Sequence, residues 1–445
     1  MVDHSETNTA VASDDSISAS APKNWFSWFT RVGPAIVVAA VVLGPGSIVS
    51  ASRVGCEYGL DLLWVVPFAG LLMIGMTMGS MMIGVCNQKT LCQSVADTFG
   101  RPVAWIVGGS LMIAITLFQA SNNNAMLMAA GGFVGPSTLD DLSPLAKTSL
   151  LFLVNLFIIA IVVLGRHDLY RLVERMMAVL VGMMVVAFGL SMIASQPSIS
   201  EIGMGLIPKL AAGGEANASG STAAAVSWLS IGAMIATTFS VAGAFYQSYQ
   251  VKEKGWTQAD LRVGLVDSFV GIASLALITG MIFITAATAL HGVIEPSELT
   301  DASMVAMSLE PMFGTWAKIV FSLGIFAGAA SSFLVNALIG GVVFCDAIGL
   351  SSKMSSTSVR TSTIAALLLG WLVASTVTIT GINLVSFIVI AQALTVLCFP
   401  ILAIVIVWQL QKLTVRVPIA IKVLCWLGLV VVIALSIRTL WGLLS

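Results

Sequence analysis

The chain has 445 residues, 58% of them hydrophobic and only 9% charged, with a mean hydropathy of +1.01. No soluble surface can be built from that composition, which is that of a membrane protein. Twenty Lys and Arg against 21 Asp and Glu leave a formal charge of −1, so no nucleic-acid partner is indicated. Six scattered cysteines (Cys56, Cys86, Cys92, Cys345, Cys398, Cys425), with no C-x-x-C pair and three histidines in all, offer neither a disulfide framework nor a zinc site. They read as small apolar packing residues.

In chain order, residues 1–22 are rich in Ser, Ala, Thr and Asp, with Asp14 and Asp15 where a signal peptide carries basic residues. They read as a disordered cytoplasmic tail. Residues 23–31 set Trp25, Phe26, Trp28 and Phe29 between Lys23 and Arg31, the composition of a segment at a membrane interface. Charge-free windows follow at 31–53, 61–89, 101–140, 147–166, 175–201, 215–252, 267–295, 318–346, 360–412 and 422–438. Most exceed the ~20 residues a helix needs to cross the hydrocarbon core. The window from 360 holds two such lengths, broken near Thr380-Gly381-Ile382-Asn383, which brings the reading to eleven spans. With the N-terminus inside, 15 of the 20 basic residues fall on the inner face, leaving Arg53, Lys147, Lys209, Lys318 and Arg438 outside. The positive-inside rule thus predicts a multi-pass protein of the cell (inner) membrane with a cytoplasmic N-terminus, expected as a monomer in the lipid bilayer.

Glycine punctuation adds a functional signal. Span 1 is interrupted by Gly44-Pro45-Gly46-Ser47 and span 6 by Ser240-Val241-Ala242-Gly243, each near the middle of its apolar run. Four spans lie between the two positions, so spans 1 and 6 cross in opposite directions and lie in halves of opposite orientation. That is the pattern of an inverted-repeat transporter, whose broken helices meet at the bilayer midplane and form the substrate site. The Met run of span 2 (Met73, Met76, Met78, Met81, Met82) spreads around its helix and reads as packing.

Gly33-Pro34, Gly44-Pro45-Gly46-Ser47, Gly55, Tyr58-Gly59, Leu62-Leu63-Trp64-Val65, then Arg101-Pro102-Val103-Ala104-Trp105, Ile231-Gly232 and Ala330-Ser331-Ser332 stand in an order that resembles the NRAMP divalent-metal transporters, over most of residues 31–415. The resemblance implies an all-α integral membrane protein of LeuT type, a 5+5 inverted repeat plus one extra helix, with broken helices 1 and 6 among eleven spans. It divides the chain into the tail 1–22, a first repeat 23–200 (spans 1–5), a second repeat 201–415 (spans 6–10) and span 11 at 416–445. It also implies proton-coupled uptake of Mn²⁺ or Fe²⁺.

The departures from that family matter more. Its span-1 motif is Asp-Pro-Gly-Asn, whose Asp and Asn bind metal, where this chain has Gly44 and Ser47. Its span-6 Met-Pro-His-Asn corresponds to Ser240, Val241, Ala242 and Gly243. A second family histidine falls at Gln247, and the acidic pair of span 3 at Gln119 and Asn122. Burying even a monovalent ion in a low-dielectric medium costs, in the idealised limit, ~20 kcal/mol, and the cost grows with the square of the charge. A stripped dication therefore needs anionic ligands, and the broken segments supply none. No metal site and no cofactor are predicted.

What remains is a neutral cavity of backbone N–H groups, hydroxyls and amides, with the substrate-binding candidates Gly44, Pro45, Gly46, Ser47, Ser240, Ala242, Gly243, Gln119, Asn122 and Gln247. The half-helices, read as starting after Gly46 and near Gly243, point positive dipole ends inward. The reading is a secondary transporter of a small anion such as bicarbonate, with a hydrated divalent metal (Mg²⁺ or Mn²⁺) or a small neutral polar solute as alternatives. A sodium ion held by carbonyls between Ala40 and Leu43 and the hydroxyls of Ser331 and Ser332 is the candidate coupling ion. An enzyme is not indicated, because no cluster of acids or histidines faces the membrane interior. Asp267 and Asp346, at span ends, are expected to reach water, and Arg166, His167, Asp168, Arg171, Glu174 and Arg175 to form a cytoplasmic hinge network.

Overall fold

A computed structural model describes residues 34–134, 141–164, 169–208, 228–295 and 315–444, which fall in one compact unit. The expected tail at 1–22, the interfacial segment at 23–31 and the residues Arg166, His167 and Asp168 lie outside the described residues.

The first spanning unit is a broken pair, α1 (Pro34–Val42) and α2 (Pro45–Tyr58), bent by 52°. α3 (Val65–Cys86) leads to the short α4 (Leu91–Phe99), then to the long α5 (Arg101–Val134), α6 (Pro144–Leu164), α7 (Leu169–Ala194) and a short α8 (Ile199–Gly205). The second broken pair is α9 (Trp228–Thr238) and α10 (Val241–Glu253). After them come α11 (Leu261–Ala289), α12 (Thr315–Ile348), α13 (Thr357–Thr380), α14 (Leu384–Thr395), α15 (Phe399–Gln411) and α16 (Ile419–Leu444). Among the described residues nine helices are long and apolar enough to cross a bilayer, and the bent α1–α2 pair makes ten. The α9–α10 pair is not among them, so there the count of eleven rests on the sequence pattern alone.

Local chemistry explains where the elements stop. Gly381 adopts φ 70°, ψ 19° and ends α13, with the Ile382 N–H returning to Val377 O at 3.3 Å. That is the left-handed glycine cap of a helix, and Asn383 Oδ1 then caps α14 through Ser386 N at 2.9 Å. The break expected near 380–383 is therefore present, with each of its polar residues in a role. Asp267 of α11 is half-buried rather than solvated and accepts from Ala35 N at 3.0 Å, a carboxylate on the N-terminus of α1.

Packing follows membrane rules, in which small residues let helix backbones approach. α5 lies against α12 and α13, and α3 against α10, α11 and α16. A Cβ on Gly370 of α13 would fall 2.2 Å from Gln119 Cβ of α5, and one on Gly341 of α12 would fall 2.3 Å from Thr363 Oγ1. Met73, Met76, Met81 and Met82 are all buried, consistent with a packing role. All six cysteines are free.

Candidate substrate site at the broken helices

The two broken pairs cross at their interruptions, α2 lying along α9 and α1 along α10. Contact is direct: Ser47 Oγ reaches Thr237 O at 3.4 Å, and a Cβ on Gly243 would meet Val42 Cγ2 at 3.1 Å and Val38 Cγ1 at 3.2 Å. The interruptions lie earlier than 44–47 and 240–243, at Leu43 and Gly44 and at Phe239 and Ser240. Pro45, Gly46 and Ser47 form the first turn of α2, and Val241, Ala242 and Gly243 that of α10. The reason is positional. Proline is at ease at the first position of a helix, and a serine before it serves as cap, here with Ser240 Oγ accepting from Gly243 N at 3.4 Å.

The break in span 1 deprives three carbonyls of helical donors, since those of Ala40, Val41 and Val42 would be matched by the N–H groups of residues 44, 45 and 46, and Pro45 has none. Three serine hydroxyls take their place. Ser331 Oγ donates to Ala40 O at 2.9 Å, Ser332 Oγ to Val41 O at 2.7 Å and Ser47 Oγ to Val42 O at 2.5 Å. α12 thus meets the end of α1 where the sodium reading placed it, and a Cβ on Gly328 would sit 3.0 Å from Leu43 O. The oxygen that Ser332 engages is that of Val41.

Around this junction is a cavity of about 20 Å³, room for about one water, lined by Val41, Val42, Gly44, Gly46, Ser47, Phe118, Asn122, Thr237, Ser240, Ser332, Asn336 and Gln392. Of the substrate-binding candidates it gathers Gly44, Gly46, Ser47, Ser240 and Asn122, and it takes Ser332 from the sodium set. Gln119 stands behind the wall: its Nε2 donates to Phe333 O at 2.7 Å and its Oε1 accepts from Asn122 Nδ2 at 2.8 Å, so it ties α5 to α12 and orients Asn122. Pro45, Ala242, Gly243 and Gln247 are buried outside the lining, and among the described residues the Gln247 carboxamide has no hydrogen-bond partner.

Asn336, Gln392, Thr237 and Phe118 were not singled out in the sequence. Asn336 follows Ser332 by one helical turn and so shares its face. Gln392 is a buried carboxamide within the apolar run of α14, which is itself a signal in a spanning helix. No charged, sulfur or imidazole side chain lines the cavity, and no group of three or more His, Cys, Asp or Glu that could hold a metal occurs among the described residues.

Comparison with known proteins follows this geometry. The model of the Nramp family, described as natural resistance-associated macrophage protein-like, matches residues 35–442. The divalent metal cation transporter MntH of Pectobacterium carotovorum subsp. carotovorum (strain PC1) is 26% identical over 319 residues, covering 70% of this chain and 71% of that protein. MntH of Yersinia pestis (strain Pestoides F) is 26% identical over 321 residues, with the same coverage. Among solved structures, a manganese transporter of Eremococcus coleocola superposes with a TM-score of 0.73 at 15% identity, covering 96% of this chain and 90% of that one. MhsT in complex with L-phenylalanine superposes with a TM-score of 0.58 at 17% identity, covering 91% and 98%. The shared architecture is the LeuT-type fold expected from the sequence.

Proposed function

The chain belongs to the Nramp family of multi-pass membrane transporters, and from that premise we propose that its cargo is a small polar solute held by hydrogen bonds, with a monoanion of bicarbonate size as the first class to test. The observation that carries this reading is the lining itself: carboxamides of Asn122, Asn336 and Gln392 and hydroxyls of Ser47, Thr237, Ser240 and Ser332, with no ionisable group among them. Such a wall does not offset the desolvation of a bare dication, whereas the carboxamide N–H groups of Asn336 and Gln392 can donate to one negative charge. Movement is by alternating access of a monomer in the inner membrane, with the Lys- and Arg-rich face cytoplasmic. Sodium at Ala40, Leu43, Ser331 and Ser332 is the proposed coupling ion, offsetting the charge of an arriving anion.

A hydrated divalent cation is the second reading, favoured by the names of the MntH relatives and of the manganese transporter. Uptake into vesicles separates the two, using labelled bicarbonate, Mg²⁺, Mn²⁺ and a small neutral solute, each with sodium, potassium or choline outside. The anion reading expects sodium-dependent bicarbonate uptake and no Mn²⁺ uptake. Saturable uptake of Mn²⁺ or Mg²⁺ without bicarbonate uptake replaces it with the second reading, and equal rates in all three salts remove sodium.

A further inference from the structure

Asp346 was expected to reach water at the end of its span. It is instead fully buried in the last turn of α12. Its Oδ2 accepts from Thr90 Oγ1 at 2.6 Å and from Tyr249 Oη at 2.8 Å, while Oδ1 is buried without a hydrogen-bond partner among the described residues. The Tyr249 hydroxyl also accepts from Cys92 N at 3.3 Å. One carboxylate thus joins three elements: Thr90 is the N-cap of α4, held in a capping box with Gln93, Tyr249 belongs to α10, and Asp346 to α12.

Among the described residues no direct ion pair relieves this carboxylate. Arg101 Nη1 donates to the Asp346 main-chain oxygen at 3.5 Å, and Lys252 Nζ donates to the carbonyls of Asn87 and Gln88. A buried carboxylate held by two hydroxyls is costly and serves no packing need that an apolar residue could not meet, which marks it as functional. Its place in the fold says for what. α10 joins α9 only through the break at Phe239 and Ser240, and Tyr249 lies nine residues beyond Ser240, about 13 Å along the helix. Between α10 and α12 is a cavity of about 190 Å³, lined by Thr90, Tyr246, Tyr249, Lys252, Lys353 and Met354 among others. Its walls continue the same two helices that supply Ser240 and Asn336 to the central cavity.

We propose that Asp346 is the positioning residue of a gate: its carboxylate latches the free end of α10 to α4 and α12, and release lets α10 turn about the span-6 break and join this vestibule to the central cavity. The latch rests on the alternating-access reading but on no particular cargo.

Cys92 is a built-in reporter, fully buried with its amide on Tyr249, and Cys425, buried in α16 with its thiol on Gly75 O at 3.2 Å, reports on global opening. The test is alkylation of the full-length protein in lipid vesicles, read at each cysteine by mass spectrometry, for the starting protein and for Asp346→Asn, Tyr249→Phe, Thr90→Val and Thr90→Ser. Loss of a hydrogen bond to a charged group should speed Cys92 modification about tenfold in the first three variants and leave Cys425 unchanged. Thr90→Ser, which keeps the hydroxyl, should protect Cys92 like the starting protein. For whichever solute the vesicles take up, Asp346→Asn should change the maximal rate and leave KM unchanged, because the Asp346 carboxylate lines neither cavity. Equal protection of Cys92 in all variants, or parallel exposure of Cys92 and Cys425, overturns the proposal. Alkylation needs no cargo, so the latch and the cargo reading fail separately.

Discussion

Gly44 and Gly46 are required by what approaches them, which is why no larger residue fits at the span-1 break. A Cβ on Gly46 would lie 2.0 Å from Gln392 Nε2 and 2.4 Å from its Cδ, so any side chain there displaces the carboxamide that closes the cavity. Gly46→Ala should cut uptake about tenfold or more and lower stability by about 1–3 kcal/mol, the usual cost of overpacking. Initial-rate uptake and thermal unfolding in detergent check both, and unchanged uptake would mean that Gln392 does not shape the cargo path. A Cβ on Gly44 would lie 2.5 Å from Ser332 Oγ. Gly44→Asp, which restores the acid that NRAMP metal sites carry, must therefore push Ser332 off Val41 O and sets a lone carboxylate among neutral groups. Calorimetric titration should show no micromolar Mn²⁺ affinity in this variant or in the starting protein, and such affinity in either one sinks the neutral-cavity reading.

At the level of elements, the break between α1 and α2 is maintained by an exchange of donors. Pro45 withholds the N–H that Val41 O would receive, and Ser332 supplies a hydroxyl instead. Ser332→Ala should cost about 1–3 kcal/mol, the penalty of an unsatisfied buried carbonyl. In a Pro45→Ala background the residue-45 N–H becomes available and α1 can run on. There Ser332→Ala should cost less, with a coupling of about 1 kcal/mol in the double-mutant cycle. Thermal unfolding of the four proteins measures it, and equal costs in both backgrounds would show that the serine does not replace the missing amide. Ser331, whose hydroxyl is shared between Ala40 O and Gly328 O at 2.9 Å each, should be the more tolerant of the two to alanine.

Over the whole molecule, α4 gathers basic side chains at the end that holds Asp346: Lys89 pairs with Asp97, Arg101 reaches Asp346 O, and Lys252 reaches Asn87 and Gln88. Under the positive-inside rule this end faces the cytoplasm. Cysteines introduced at the exposed Gln88 and at Val293, which is 73% exposed at the far end of α11, report the orientation. A membrane-impermeant thiol reagent should label Gln88→Cys in inverted vesicles and Val293→Cys in right-side-out ones. The opposite pattern would reverse the orientation.

Spans, their punctuation and the presence of two facing breaks are legible in the sequence because they depend on local properties. Apolar length places the helices, Gly381 and Asn383 end one and start the next, and Gly44-Pro45 marks an interruption whatever surrounds it. Even there the register slipped by a residue or two, since proline and the serine cap belong to the start of the new half-helix. The wall of the cavity was legible only in part. Ser47, Ser240 and Asn122 sit at or beside motifs, but Asn336 and Gln392 come from α12 and α14, far away in the chain, and a buried carboxamide is a site only if another helix delivers its partners. Gln119 and Asp346 show the same limit from the other side. Both are polar residues on apolar helices, and packing alone decided that one orients Asn122 while the other, taken for a solvated terminus, is sealed beneath Thr90 and Tyr249. Hydropathy acts along one helix, whereas hydrogen-bond satisfaction in a bilayer is settled between helices, so the first is written in the sequence and the second only in the assembled bundle.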